Sequence, residues 1–265
     1  MVEIRHYLDQ LGRRIEIPFP PRRIISLVPS QTEFLYELGL ENEVVGITKF
    51  CIHPKEWHET KTRIGGTKNL NFDNIKSLKP DLIIANKEEN DQNQIEQLAK
   101  DYPVWISDIK DLSSALDMIS SVAKICDRSD AGNRICNDVE NELLNLNLNL
   151  GTAIYLIWNE PLMTAGLGTF ISEMMKLAGF QNVIKQDRYP EVSQAIIQEL
   201  NPEFILLSSE PFPFKKEHQK SFQSQFLESR VILVDGEMFS WYGSRLLKAT
   251  EYFKNLTKDL TTSIG

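Results

Sequence analysis

Phe239, Trp241 and Tyr242 stand in the run Gly236-Glu237-Met238-Phe239-Ser240-Trp241-Tyr242-Gly243-Ser244-Arg245, directly after an apolar β-branched segment. No helix or strand period buries rings there, and loop aromatics supply flat, low-entropy contact area for a large ligand. Trp241 and Tyr242 read as ligand contacts, with Glu237 beside them; Phe239 reads equally as a ring folded over a core. Arg245 pairs with a carboxylate or steers an anion, the ion pair being the first reading. In Val28-Pro29-Ser30-Gln31-Thr32-Glu33, either hydroxyl caps a following helix, or the free N–H groups receive an acceptor on a ligand. Cys51, His53 and His58 are metal-ligand types, but C-x-H-x₄-H fits no standard zinc site and Pro54 prevents helical alignment, so no metal is expected. Gly65-Gly66-Thr67-Lys68 lacks phosphate-loop spacing, Gly166-Leu167-Gly168 lacks a third glycine, and no G-x-S-x-G occurs. With four histidines and no catalytic constellation, the pattern describes capture of a ligand, without an enzyme's chemistry and without a cofactor.

These residues fall in loops because of what lies between them. Buried-strand patterns recur at residues 23–28, 43–47, 81–85, 103–107, 152–158, 203–208 and 230–235. Amphipathic helical stretches alternate with them at 32–38, 71–78, 91–100, 170–177 and 193–200. Such alternation predicts α/β layers with parallel sheets. Ligands of such sheets bind beyond the carboxyl ends of the strands, where the loops above sit.

Two phrases recur in the same order. Ile75-Lys76-Ser77-Leu78-Lys79-Pro80-Asp81-Leu82-Ile83-Ile84 matches Ile197-Gln198-Glu199-Leu200-Asn201-Pro202-Glu203-Phe204-Ile205-Leu206. In each, a helix ends before Pro, an acidic residue follows, and a buried strand begins. Glu33 to Leu40 matches Glu173 to Phe180, each helix closing on a glycine, Gly39 or Gly179, able to take the left-handed cap conformation. The repeats imply two related Rossmann-like lobes with short parallel sheets, residues 1–127 and 150–265, joined by one long backbone helix over 128–149. That helix is expected to run about 20 residues, ~30 Å, with the asparagines near Asn145 weakening its end.

The chain has 265 residues, 42% hydrophobic and 25% charged, with a net charge of −8 and no basic block, which disfavours a nucleic-acid surface. No apolar run approaches membrane-spanning length. Met1 to Gly12 shows no export-signal pattern, which leaves a periplasmic, cell-surface or cytoplasmic location open. Three cysteines, Cys51, Cys126 and Cys136, do not make a disulfide framework.

Several runs resemble the helical-backbone (class III) periplasmic substrate-binding proteins of ABC importers, and most closely the cobalamin-binding branch. They are Arg23 to Glu33, Asn69 to Asp81, Tyr189-Pro190-Glu191-Val192-Ser193 and Trp241-Tyr242-Gly243-Ser244-Arg245. The resemblance implies a monomer that holds cobalamin or a related corrinoid in an inter-lobe cleft and delivers it to an ABC permease. It implies ligand contacts at Phe50, Met163, Tyr189, Glu237 and Trp241, to which the reading of the loops themselves adds Pro29, Ser30, Phe239, Tyr242 and Arg245. Thr67 and Asn86 stand where the cobalamin binder carries Trp, and Ala178 where it carries Cys. Asp73 matches the first of two transporter-docking carboxylates. The second position is Ala195, with Glu191 and Glu199 as neighbours and Glu191 taken as the docking residue. Haem or a ferric siderophore is the alternative ligand, with Tyr189, Tyr242 and His53 as axial candidates. A cytosolic corrinoid-handling protein is the alternative class.

Overall fold

The computed structural model describes residues 3–262. Its elements run β1 (Glu3–Leu8), β2 (Arg14–Phe19), β3 (Ile24–Ser26), α1 (Pro29–Glu37), β4 (Val44–Ile47), α2 (Lys55–Thr60), β5 (Thr62–Arg63), α3 (Phe72–Leu78), β6 (Leu82–Asn86), α4 (Gln92–Leu98), β7 (Val104–Ser107), α5 (Leu112–Ile125) and α6 (Ser129–Leu143). They continue with β8 (Gly151–Asn159), β9 (Leu162–Thr164), α7 (Phe170–Leu177), β10 (Phe180–Asn182), α8 (Gln194–Leu200), β11 (Phe204–Ser208), α9 (Lys216–Gln225), β12 (Arg230–Val234), α10 (Glu237–Ser240) and α11 (Arg245–Thr262). All seven expected strands and all five expected helices are present, most within a few residues.

Two units share the chain. The first comprises residues up to Ile109, Ser113–Asp138 and Tyr242–Arg245; the second comprises Lys110–Leu112, Val139–Trp241 and Leu246 onward. The first unit carries an all-parallel sheet in the order β5-β4-β3-β6-β7. The second carries β10-β8-β11-β12, also parallel, with β9 antiparallel on β8. Matching β3 with β8, β4 with β10, β6 with β11 and β7 with β12 gives the same spatial order in both, as the sequence repeat requires.

The repeat has a physical content that its letters only hint at. Helix α3 stops with Lys79 in the left-handed conformation (φ 45°) and α8 stops with Asn201 likewise (φ 40°). The acidic residue after each proline then ties down the entry to the neighbouring strand. Asp81 accepts the N–H groups of Arg22 and Arg23, both at 2.8 Å, just before β3. Glu203 accepts the N–H of Thr152 at 3.0 Å at the start of β8. Each carboxylate therefore fixes the register of the first strand against the third. The helices are capped alike: Asn71 accepts from Asn74 N–H and Ser193 from Ile196 N–H.

Three features depart from expectation. The connecting helix is shorter: α6 spans 15 residues and ends at Leu143, before Asn145. Asn145, Asn147 and Asn149 favour caps and turns over helix interiors, and they end it early. The compact units are discontinuous in sequence, because Tyr242–Arg245 belongs with the first. An N-terminal hairpin, β1 with β2, lies along the edge strand β7 and had no sequence counterpart. Trp105 Nε1 donates to the carbonyl of Leu8, Gln10 N–H to Ile106, and the Arg13 guanidinium to Val104. The hairpin thus occupies polar groups at a sheet edge that would otherwise invite foreign strands. Among the described residues no helix is long and apolar enough to cross a membrane, and all three cysteines are free thiols.

Candidate functional site

In the first unit, the loops past β3, β4 and β6 gather a buried polar set. Pro29 takes the first position of α1 and Ser30 the second, while Val28 precedes the helix. Neither hydroxyl caps it. Ser30 is buried without a capping bond, and Thr32 Oγ1 donates back to Ser26 Oγ (2.7 Å) and the Val28 carbonyl (2.9 Å). The capping reading is corrected because proline at the first helical position supplies the starting φ itself. Cys51 Sγ lies 3.1 Å from both Thr32 and Thr48, and burial raises its thiol. His58 turns Nδ1 to the Cys51 carbonyl, and among the described residues no metal-holding cluster of His, Cys, Asp or Glu occurs.

Asn86, placed by resemblance against a ligand, is instead a buried turn residue. Its Oδ1 accepts the N–H groups of Glu88 and Glu89, and its amide donates to Ser107 Oγ at 3.0 Å. Thr67 is half-buried and its carbonyl accepts from Asn90. Tyr242 is also corrected: it is buried in this unit, and its hydroxyl donates to Glu89 Oε1 at 3.0 Å. Burial, and then the Glu89 charge, push its phenol well above the ordinary value. A ring so enclosed is neither a ligand wall nor an axial metal ligand. Arg245 takes the ion-pair role, with Nε 2.7 Å from Glu33 Oε2 and both side chains 6% exposed. Deleting one partner of a buried pair costs about 3–5 kcal/mol, because the other charge is left uncompensated.

Phe50, just past β4, is different. It is 51% exposed, its ring rests beside Gly66, and the Lys49 ammonium lies 5.0 Å from the ring centroid. A side chain at Gly66 would place its Cβ 3.1 Å from that ring, a tight contact from which the ring would have to give by a few tenths of an ångström. A shallow hollow of about 460 Å³ next to it is lined by Lys49, Gly65, Gly66, Asn69 and Phe72. Asp73 is exposed in the first turn of α3.

In the second unit, Phe239 takes the second of its two readings, the ring folded over a core, and is no ligand contact in this structure. It is 0% exposed and packs on Tyr155 (5.1 Å between centroids) and Phe253 (4.9 Å). The short helix α10 and the following α11 supply the burial that no sequence period announced. Trp241, expected against a ligand, is buried too, with Nε1 donating to Glu210 Oε1 at 2.9 Å. Glu210 also accepts from Ser240 at 2.6 Å. Burial pushes the Glu210 carboxyl above the usual carboxylate range, with Glu237 and Asp235 adding repulsion and the two hydrogen bonds opposing. Glu237 is half-buried on α10.

Met163, on β9, and Tyr189, in the loop past β10, stay half-buried. The Arg188 guanidinium sits 5.6 Å from the Tyr189 ring centroid. The segment carrying Tyr189 runs along β9: Thr164 N–H donates to Pro190, Val192 N–H to Leu162, and Met163 bridges to Glu191. The carboxylate expected to dock and the thioether expected to meet a ligand are thus direct cross-strand neighbours. Trp158, which the sequence patterns did not single out, pairs with Met163 from β8 and is 39% exposed. Its signal was an aromatic at the last exposed position of a strand. A second hollow, about 700 Å³, is lined by none of the candidate residues.

The profile of the family described as periplasmic binding protein matches residues 24–232, from β3 through β12. This chain belongs to that family. Among relatives of the periplasmic binding protein family, the vitamin B12-binding protein of Pectobacterium carotovorum subsp. carotovorum (strain PC1) is 27% identical over 241 residues, covering 87% of this chain and 86% of that one. An uncharacterized ABC transporter substrate-binding lipoprotein of Bacillus subtilis (strain 168) is 26% identical, covering 92% and 82%. The crystal structure of the periplasmic vitamin B12-binding protein of Vibrio cholerae superposes with a TM-score of 0.78 at 24% identity, covering 92% of this chain and 99% of that one. The apo haem-binding protein of Roseiflexus sp. RS-1 gives 0.74 at 22% identity, covering 88% and 98%. These structures share the fold: paired α/β lobes with parallel sheets.

Proposed function

We propose that this periplasmic binding protein is the substrate-binding component of an ABC-type importer and captures cobalamin or a related corrinoid. The observation that carries the reading is the half-exposed Phe50 ring beyond β4, resting beside Gly66 at the carboxyl end of a parallel sheet. Tyr189 at the corresponding loop of the second unit and Met163 on β9 support it, as do the names of relatives such as that from Pectobacterium. Rings and a thioether bury the faces of a macrocycle, and a few polar groups orient it. No bond is made or broken: the protein binds, and a permease receives the ligand.

Titration with cyanocobalamin, followed by calorimetry, tests this. Saturable one-to-one binding is expected, and Phe50→Ala should weaken it by roughly 1–3 kcal/mol, the scale of an aromatic hot spot. Haemin serves as the competitor. Uptake of haemin with no uptake of cyanocobalamin would replace the corrinoid by haem as the ligand. In that case Tyr189 is the accessible phenol to examine, since Tyr242 is enclosed.

A further inference from the structure

We infer that Trp158, Met163 and Glu191 form one ligand-recognising row on the second unit, in which Trp158 and Met163 supply apolar contact and Glu191 accepts N–H groups, so that the ligand preferred is a macrocycle edged with carboxamides. The inference rests on the capture reading above and adds to it the chemistry of the ligand's edge.

Three observations place the row. Trp158 is registered opposite Met163 in the β8–β9 hairpin, and Met163 is bridged to Glu191 on its other side. Directly paired antiparallel residues project from the same face, with Cβ atoms about 4.5–5.5 Å apart, so the three side chains stand side by side. A register irregularity between Leu156 and Trp158 re-aims the strand there, and the ring emerges 39% exposed after five consecutive buried positions.

The ring is held, not loose. Its Nε1 donates to the Glu160 carbonyl at 3.0 Å, and it meets Phe212 edge-to-face at 5.8 Å. With the N–H already satisfied, the remaining surface offers apolar contact. Phe212 is fixed in turn by its N–H donating to Ile157. Beneath the row, Ile157, Val192 and Leu162 belong to or pack on buried core, which stiffens the platform.

Glu191 sets the polarity. It is exposed, and among the described residues it takes part in no ion pair or side-chain hydrogen bond. The nearby cation Arg188 is turned elsewhere, donating to the Gly168 carbonyl at 3.3 Å and lying over Tyr189. A carboxylate at the end of an aromatic–thioether row favours a ligand edge rich in N–H donors and repels one edged with carboxylates.

Calorimetry on the full chain, with cyanocobalamin (carboxamide-edged) and haemin (carboxylate-edged) as separate titrants, decides it. The unsubstituted chain should favour cyanocobalamin. Trp158→Ala should weaken that binding about tenfold or more, the size of effect expected when an aromatic anchor is truncated. Glu191→Lys should weaken cyanocobalamin and strengthen haemin, whereas Glu191→Gln, which keeps a carbonyl acceptor, should stay within about threefold. If Trp158→Ala melts early, Trp158→Leu and the two Glu191 substitutions carry the test. Unchanged cyanocobalamin affinity in folded Trp158→Leu and Glu191→Lys overturns the row and leaves the corrinoid reading standing. Binding of neither titrant by the unsubstituted chain overturns that reading, and the row with it.

Discussion

Among single residues, Glu210 shows how one group can serve structure against its own ionisation. It receives Ser240 and Trp241 while burial holds its carboxyl above the usual range. Between the ordinary carboxylate value and the raised folded one, the native chain binds more protons than the unfolded chain. Stability therefore falls as pH rises through that interval. Glu210→Gln keeps an acceptor and loses the charge, so it should equal the parent in acid and exceed it near neutrality. Denaturant melts at several pH values, with parallel slopes for both proteins, would reject this. Residue identity alone did not separate buried from exposed aromatics. Phe50 and Phe239 both follow strands among small residues, yet one is half-exposed and the other enclosed by Tyr155 and Phe253. What distinguishes them is a four-residue helix, too short to leave a periodic signature.

Elements were the most legible scale. The apolar runs of β3, β6, β8 and β11 and the prolines at 80 and 202 announced strands and helix stops, because burial on both sheet faces and a missing N–H leave unambiguous marks. The β1–β2 hairpin was not legible, since Glu3, Arg5, Arg14 and Glu16 put charge on both faces. Its stability comes from Asp9, whose carboxylate accepts the N–H groups of Leu11 and Arg13, and from the edge of β7. The pairing of α5 with α6 was equally hidden. It depends on Gly132, where an added Cβ would fall 2.4 Å from that of Ala123. Gly132→Ala should therefore cost about 1–3 kcal/mol through overpacking, against the small gain in helix propensity. Ala123→Gly in the same chain should recover part of that stability. Thermal melts of the three proteins check this, and a Gly132→Ala protein as stable as the parent would show that the helices separate freely.

For the whole molecule, the repeat predicted two related lobes with parallel sheets, and the two sheets share one strand order that the sequence had not specified. The membership of Tyr242–Arg245 in the first unit was beyond reach, because it depends on a charge pair 212 positions apart in sequence, Glu33 with Arg245. A fragment ending at Leu143 holds every strand of the first sheet yet lacks that arginine. It should melt without a sharp transition, and Glu33→Gln within the fragment should restore some cooperativity by removing the stranded charge. Circular dichroism against temperature measures both. A sharp transition in the unsubstituted fragment would mean that Glu33 finds another partner.

That pairing also has a temporal meaning. A nascent chain emerges from its amino end, and domains generally fold as they appear. Here the first unit must wait, with Glu33 lacking its arginine, until residue 245 has been made, long after the last strand of its own sheet has emerged.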